Sequence, residues 1–248
     1  MNKKVPHEAH YRRTSLITKI QFWLMILGSI ASLATVIKLS DDIKILVDKT
    51  ICIISVIYFI LEIFFSNLFI KAEQCRLDDY IDNSLNSKIS DDNSQHYYTN
   101  DEIDKSIYKL GVNGYENAFF SKNVAKKMID NQLPIFIVVI LIYLVSIFFV
   151  EKEKLTIIFQ LLLPLYVIKD FVRLYLFNSR LDIILDFYKK IFTTIKMEER
   201  DPLIINNIIS YEKLISSYNM QLDSKIFNKL NDKLSQDWID LKKRYTIE

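Results

Sequence analysis

The chain has 248 residues, half of them hydrophobic, and a formal net charge of only +2. No segment carries the single-sign basic excess of a duplex nucleic-acid binder, which excludes that class but not a protein that holds one small anionic ligand. Three glycines and four prolines leave few turn-formers, so the chain is expected to be helical almost throughout.

The apolar residues collect in blocks of about twenty, the length needed to cross a bilayer, and the charges lie between them. The N-terminal stretch 1–19 holds Lys3, Lys4, Arg12, Arg13 and Lys19 against Glu8. It lacks the short apolar core and small-residue cleavage site of a signal peptide, so the run that follows reads as a retained anchor. The expected fold is all-α: an integral membrane protein of two transmembrane hairpins, four spans in all, with helical cytoplasmic extensions.

The first span is Ile20–Leu39, which at 1.5 Å per residue reaches about 30 Å, the hydrocarbon thickness. A link at 40–49 leads to the second span, Thr50–Ile70, interrupted only by Glu62. The third is Leu133–Val150, with Pro134 in its first turn, where a missing N–H costs nothing. Glu151–Lys154 make the second link, short enough to force antiparallel neighbours. The fourth span runs from Leu155 to about Phe177, its end invaded by Lys169, Asp170 and Arg173. The expected organisation is therefore 1–19, hairpin 20–70, central region 71–132, hairpin 133–177 and C-terminal region 178–248.

With four crossings, both termini and the central region share one side. Arg12, Arg13, Lys19, Lys71, Arg76, Lys126, Lys127, Arg173 and Arg180 flank the span ends on that side, which makes it cytoplasmic by the positive-inside tendency. Arg76-Leu77-Asp78 follows the second span and Arg180-Leu181-Asp182 the fourth, with Tyr80 and Tyr188 further on. This reads either as a parallel repeat or as shared helical composition.

In the cytoplasmic part, residues 71–87 continue the second span with Leu77, Ile81 and Leu85 at helical spacing. Residues 86–101 are polar and form a loop. Residues 101–130 are expected to be helical, broken at Gly111 and Gly114 and resumed from Glu116 to Met128. Leu181, Ile184, Leu185, Tyr188, Ile191 and Phe192 make a second amphipathic extension, Glu198–Pro202 a turn, and Leu203–Arg244 a last helical stretch with one break.

Glu62 stands mid-span, where an ionised carboxylate costs several kcal/mol unless it meets a partner or water. It reads as a pore-lining or gating residue, or as a hydrogen-bonded glue between helices. Ser66 and Asn67, one turn on, could extend its polar stripe. Gln160, Lys169, Asp170 and Arg173 read either as a charged vestibule at an inner pore mouth or as interfacial groups that snorkel. Arg76, Lys122, Lys126, Lys127, Arg180, Lys189 and Lys190 fall near the inner surface. They meet anionic headgroups there, or they combine with Tyr97, Tyr98, Tyr115, Phe119 or Phe120 to bind phosphates and stack bases. His7, His10 and His96 fit no metal or catalytic spacing. No phosphate loop, dinucleotide turn, serine elbow or HExxH is present, so neither an enzyme nor a cofactor or metal is expected. Cys52 and Cys75 give no disulfide framework.

Three strings carry a resemblance: Arg76-Leu77-Asp78-Asp79-Tyr80-Ile81-Asp82-Asn83-Ser84, Tyr97-Tyr98-Thr99-Asn100-Asp101 and Glu116-Asn117-Ala118-Phe119-Phe120-Ser121. They look like the loop between hairpins in four-span bacterial anti-phage effectors associated with nucleotidyltransferases, including the Hailong type, over residues 12–195. The resemblance implies a homo-oligomer, a tetramer, in the bacterial inner membrane, whose opening depolarises the cell. It implies as ligand a nucleotide or a single-stranded oligonucleotide made by a partner nucleotidyltransferase, opening the channel in cyclic-nucleotide systems and holding it closed in the Hailong type. The alternative is a non-catalytic membrane scaffold that docks a protein partner through its cytoplasmic helices.

Overall fold

The structure, a computed structural model, describes residues 5, 7–34, 40–92, 94, 97–149 and 162–247. All regular structure among them is helical: α1 (Glu8–Ala34), α2 (Asp41–Leu85), α3 (Ile107–Phe149), α4 (Leu162–Thr193), a 3-10 turn (Met197–Glu199), α5 (Arg200–Tyr218) and α6 (Ser224–Tyr245). The ends of the first and third expected spans, the start of the fourth, the Glu151–Lys154 link and Gln160 lie outside the described residues.

The chain divides into two units, and α1 to α4 each contribute to both. The first, a helical head, comprises Met1–Tyr11, Ile70–Ile129 and Arg173–Glu248; the second, an apolar unit, comprises Arg12–Phe69 and Asp130–Val172. At 45 residues α2 is about 68 Å long, more than twice the hydrocarbon thickness, so one uninterrupted helix serves both.

In the head, α3 and α4 run antiparallel: Tyr108 packs edge-on against Phe192, and Lys122 Nζ donates to the Asn178 carbonyl at 3.0 Å. Tyr115 stacks on Tyr188 and Phe192 and meets Trp238 of α6 edge-on at 5.2 Å, making an aromatic centre on which three helices close. Helix α2 ends where Asn86 takes a left-handed φ of 59° and its N–H donates to the Asp82 carbonyl. The Asp82 carboxylate then gathers Ser87, Ile89 and Ser90, fixing the loop exit. Helix α6 begins at an Asp223 cap, which accepts from the Lys225 and Ile226 amides, and ends with Lys242, Lys243 and Arg244, matching the helix dipole at both ends. Pro202 lies in the first turn of α5, where no intrahelical N–H is lost.

In the apolar unit, α1 and α2 run antiparallel, with the Gln21 amide reaching Glu62 and Gly28 facing Ile54. Phe136 of α3 stacks on Phe171 of α4 at 4.1 Å. Among the described residues its buried hydrophobics are only Met25, Phe65, Phe69 and Phe171, while Trp23, Phe59 and Phe148 are 63%, 65% and 80% exposed. Helices α1 and α2 are long and apolar enough to cross a membrane, with windows of mean hydropathy 1.3 and 2.2 that are 28% and 11% buried. A core helix of a water-soluble domain with that hydropathy would be mostly covered.

Three local expectations are corrected. Helix α3 begins at Ile107, not near 101, and passes through Gly111 and Gly114 without a break. These glycines are packing positions: a Cβ at 111 would meet Ile204 at 2.9 Å, and one at 114 would meet the hydroxyls of Tyr80, at 2.7 Å, and Tyr188, closer still. Pro134 lies inside α3 rather than at a helix start. Its missing N–H leaves the Asp130 carbonyl without its helical donor, and residue 130 is where the chain passes between units. The expected link 40–49 is helical from Asp41 onward.

Candidate functional site

Three polar constellations stand out, one in the apolar unit and two in the head. In the apolar unit Glu62, exposed, accepts a hydrogen bond from Gln21 Nε2 at 2.8 Å, and Gln21 itself is 5% exposed. The pair joins α1 to α2 within an apolar stretch of each helix. Ser66 is half-buried, and the Asn67 amide turns back to the Ile63 carbonyl of its own helix at 3.0 Å. Asn67 thus bonds its own helix rather than continuing a stripe from Glu62. Lys169 is exposed, while Asp170 and Arg173 are half-buried. An open concavity of about 500 Å³ lies against Ile45, Asp48, Lys49, Cys52 and Ile53 on the first turns of α2, away from every expected site residue.

In the head the centre is Arg76. Its Nε donates to Glu73 Oε2 at 2.9 Å and its Nη2 to Glu212 Oε2 at 2.5 Å. Tyr11 donates to the other oxygen of Glu73, and Gln221 Nε2 donates to the Tyr11 carbonyl at 2.8 Å. The chain of bonds runs from the root of α1 through α2 to α5 and the α5–α6 turn. Burial alone would pull the guanidinium down, yet Glu73 and Glu212 hold it well above its ordinary value. Glu212 is raised, its burial outweighing the Arg76 charge. Arg76 Nη1, Glu212 Oε1 and Tyr188 OH are buried with no hydrogen-bond partner in the protein, a costly arrangement for a group serving stability alone.

Beside this network, Tyr80 OH donates to the Leu110 carbonyl at 2.5 Å, and the absent Cβ of Gly114 admits both the Tyr80 and Tyr188 hydroxyls. His7 is buried, packs edge-on against Tyr11 and Tyr97, and faces Asp79 at 3.8 Å.

A third cluster fastens the loop 97–106. Glu116, 4% exposed, accepts from Thr99 Oγ1 at 3.0 Å and Asn100 Nδ2 at 2.7 Å. Trp238 Nε1 donates to Asn100 Oδ1, and Lys242 Nζ donates to the Thr99 carbonyl and to Glu102 at 2.6 Å. Burial pushes the Glu116 carboxyl up to about 7, against the hydrogen bonds from Thr99 and Asn100 and the Lys242 charge.

The residues expected to hold a ligand are therefore placed unequally. Arg76 is interior and doubly paired, and Lys122 bonds Asp182. Tyr98 is buried and accepts from Asn117, while Tyr97 packs between His7 and Tyr98, its hydroxyl pushed up to about 12 by burial. Tyr115 and Phe120 are core residues, and Phe119 packs on Phe120 and Trp238. None of these rings is laid out on an open face for base stacking. Lys126, Lys127, Arg180, Lys189 and Lys190 are exposed, with Lys189 over the Tyr245 ring. The sequence reading missed Glu73, Glu116, Glu212 and Trp238. Only the Glu73–Arg76 spacing of three could have signalled any of them.

No family model matches this chain, and no curated protein or solved structure is similar to it.

Proposed function

We propose that this chain is an oligomeric, pore-forming effector of the bacterial inner membrane, of the anti-phage kind that its loop strings resemble. It crosses the bilayer four times, keeps its head in the cytoplasm and is gated by a nucleotide or oligonucleotide signal. The observation that carries this reading is the apolar unit: two long helices with a largely exposed apolar surface, cross-tied where Gln21 of α1 reaches Glu62, midway along the second expected span. Such a surface needs lipid or other copies of itself as its solvent, and an acid at that depth needs a partner or a water path. Continuous helices give the head a mechanical route to the pore, because a shift at the Arg76 network moves the same α1 and α2 that carry Gln21 and Glu62.

The test is conductance of the purified chain in planar bilayers, alone and with a cyclic dinucleotide or short single-stranded oligodeoxynucleotides. Currents that change with one of these, and whose ion preference changes in Glu62→Ala at unchanged oligomer size, are expected. Intact oligomers that pass no ions under all three conditions would overturn the reading.

One observation favours a second reading, a membrane scaffold docking a protein partner. The rings and the arginine that would grip a nucleotide are committed inside the head, whereas Ile205 and Ile209 lie one turn apart on α5 at 43% and 60% exposure. Under it, every bilayer is silent and Glu62→Ala changes nothing.

A further inference from the structure

One end of the head carries a rim of exposed basic side chains from four helices, and the rim is visible only once those helices are assembled. At one end the chain passes into the apolar unit, at 11/12, 69/70, 129/130 and 172/173. The α5–α6 turn belongs to this end too, because Gln221 bonds Tyr11 and the Asp223 amide approaches Met128 Sδ at 3.4 Å. Around it Lys71, Lys126, Lys127, Arg180 and Lys225 are exposed. Of the acids nearby, Asp182 takes Lys122 and Asp223 caps α6, while Asp130 is exposed at the 129/130 crossing and leaves the basic groups in excess. At the other end lie the loop 86–106 and the turn 194–199, brought together where Tyr108 meets Phe192. Here Asp91, Asp92, Asp101, Asp104, Glu198 and Glu199 are exposed beside Lys88, Lys105, Lys189, Lys190, Lys196, Lys243 and Arg244, so the two signs balance at this end.

We infer that the rim of Lys71, Lys126, Lys127, Arg180 and Lys225 binds the headgroups of anionic phospholipids, seating the head on the membrane by this end. Two features support this. Exposed apolar residues follow the rim directly along the same helices: Ile70 beside Lys71, and Leu133 and Ile135 after Lys127. Four of the five groups are lysines, point charges on flexible stems, which suit a mobile layer of phosphates better than one fixed bidentate site. The inference rests on the membrane reading above but not on conduction.

The experiment uses the full chain in neutral detergent, titrated with fluorescent phosphatidylglycerol and, separately, phosphatidylcholine. The wild type should prefer the anionic lipid, and the preference should weaken with salt. Each rim charge contributes about fivefold, so K71Q/K126Q/K127Q/R180Q/K225Q should lower the preference by tenfold or more. All five side chains are exposed, so the variant keeps the head fold, checked by unchanged Trp238 fluorescence. K88Q/K196Q, at the far end of the head, should leave the preference unchanged. Equal preference in wild type and the rim variant would overturn the proposal, as would an equal loss in K88Q/K196Q. So would displacement of the lipid by inorganic phosphate at constant ionic strength, which would mark a free-anion site. A chain that never conducts yet shows the rim-dependent preference would sink the pore reading and leave this one standing.

Discussion

The two tryptophans of the chain report two kinds of construction. Trp238 is fully buried in the head, wedged against Tyr115 and Phe119 with its N–H on Asn100, while Trp23 of the apolar unit is 63% exposed. Four helices pass through both units, so the difference does not lie in secondary structure. It lies in what each side chain has for a neighbour. The head brings α5 and α6 back against α3 and α4 and so builds an interior. The apolar unit contains no returning helix among its described residues, and its side chains look outward. A tryptophan is thus covered or left exposed according to whether the chain brings another helix back against it.

The largest effect that would break this contrast is removal of Arg76. Arg76→Ala removes the charged partner of the half-buried Glu73 and Glu212 and leaves Glu73 only the Tyr11 hydroxyl, which costs about 3 kcal/mol, the lower end of the range for breaking a buried pair. Denaturant unfolding followed by Trp238 fluorescence in a Trp23→Phe background measures it. A loss under about 1 kcal/mol would show that the network carries no weight.

Next comes pH. Glu116 is raised to about 7 in the folded head from an ordinary 4.5, so the folded state holds its proton more tightly than the unfolded one. Its contribution is complete below pH 4.5 and is lost as pH rises through 7, about 3 kcal/mol over that window. Glu116→Gln should flatten that slope. Asp82, lowered to about 2 by the Ile89, Ser87 and Ser90 hydrogen bonds against its burial, acts with the opposite sign and only below its ordinary 3.8. An unchanged slope in Glu116→Gln would remove Glu116 as its source.

The glycines sharpen the comparison directly. Gly114→Ala drives a methyl into the Tyr80 and Tyr188 hydroxyls and should cost about 2–3 kcal/mol. Gly28→Ala meets Ile54 at an ordinary 3.5 Å and should be neutral or stabilising by up to about 1 kcal/mol, since alanine is the better helix former. Equal costs at the two positions would erase the distinction between the units. The smallest effect is Phe59→Ser, at a 65% exposed position, which should change head unfolding in detergent by less than about 0.5 kcal/mol.

The sequence made much of this fold legible because helices with a one-letter rhythm need no distant partner to be recognised. The polar run after Leu85 and the turn near Pro202 are local signals, and the helices end and begin there. Gly111 and Gly114 misled because glycine is a breaker by propensity, and only the tyrosine hydroxyls arriving from α2 and α4 explain them as close-approach positions. Arg76 read as a surface charge because its decisive partner, Glu212, lies 136 positions away. Tyr97 and Tyr98 read as stacking platforms, yet an aromatic beside a basic residue looks the same whether it faces a ligand or a core. The paired role of Gln21 and Glu62 was half visible: the acid was conspicuous in its apolar run, its amide partner was not.

The account rests on lipid being the solvent of the apolar unit, and Trp23 tests that most directly. The full chain is reconstituted in bilayers whose acyl chains carry bromine, and its fluorescence is compared with that in ordinary lipid and with aqueous iodide added. The Trp23 emission, isolated as the difference between wild type and Trp23→Phe, should be quenched by the brominated chains and spared by iodide. Emission from Trp23 that iodide quenches and brominated lipid leaves untouched would contradict the account.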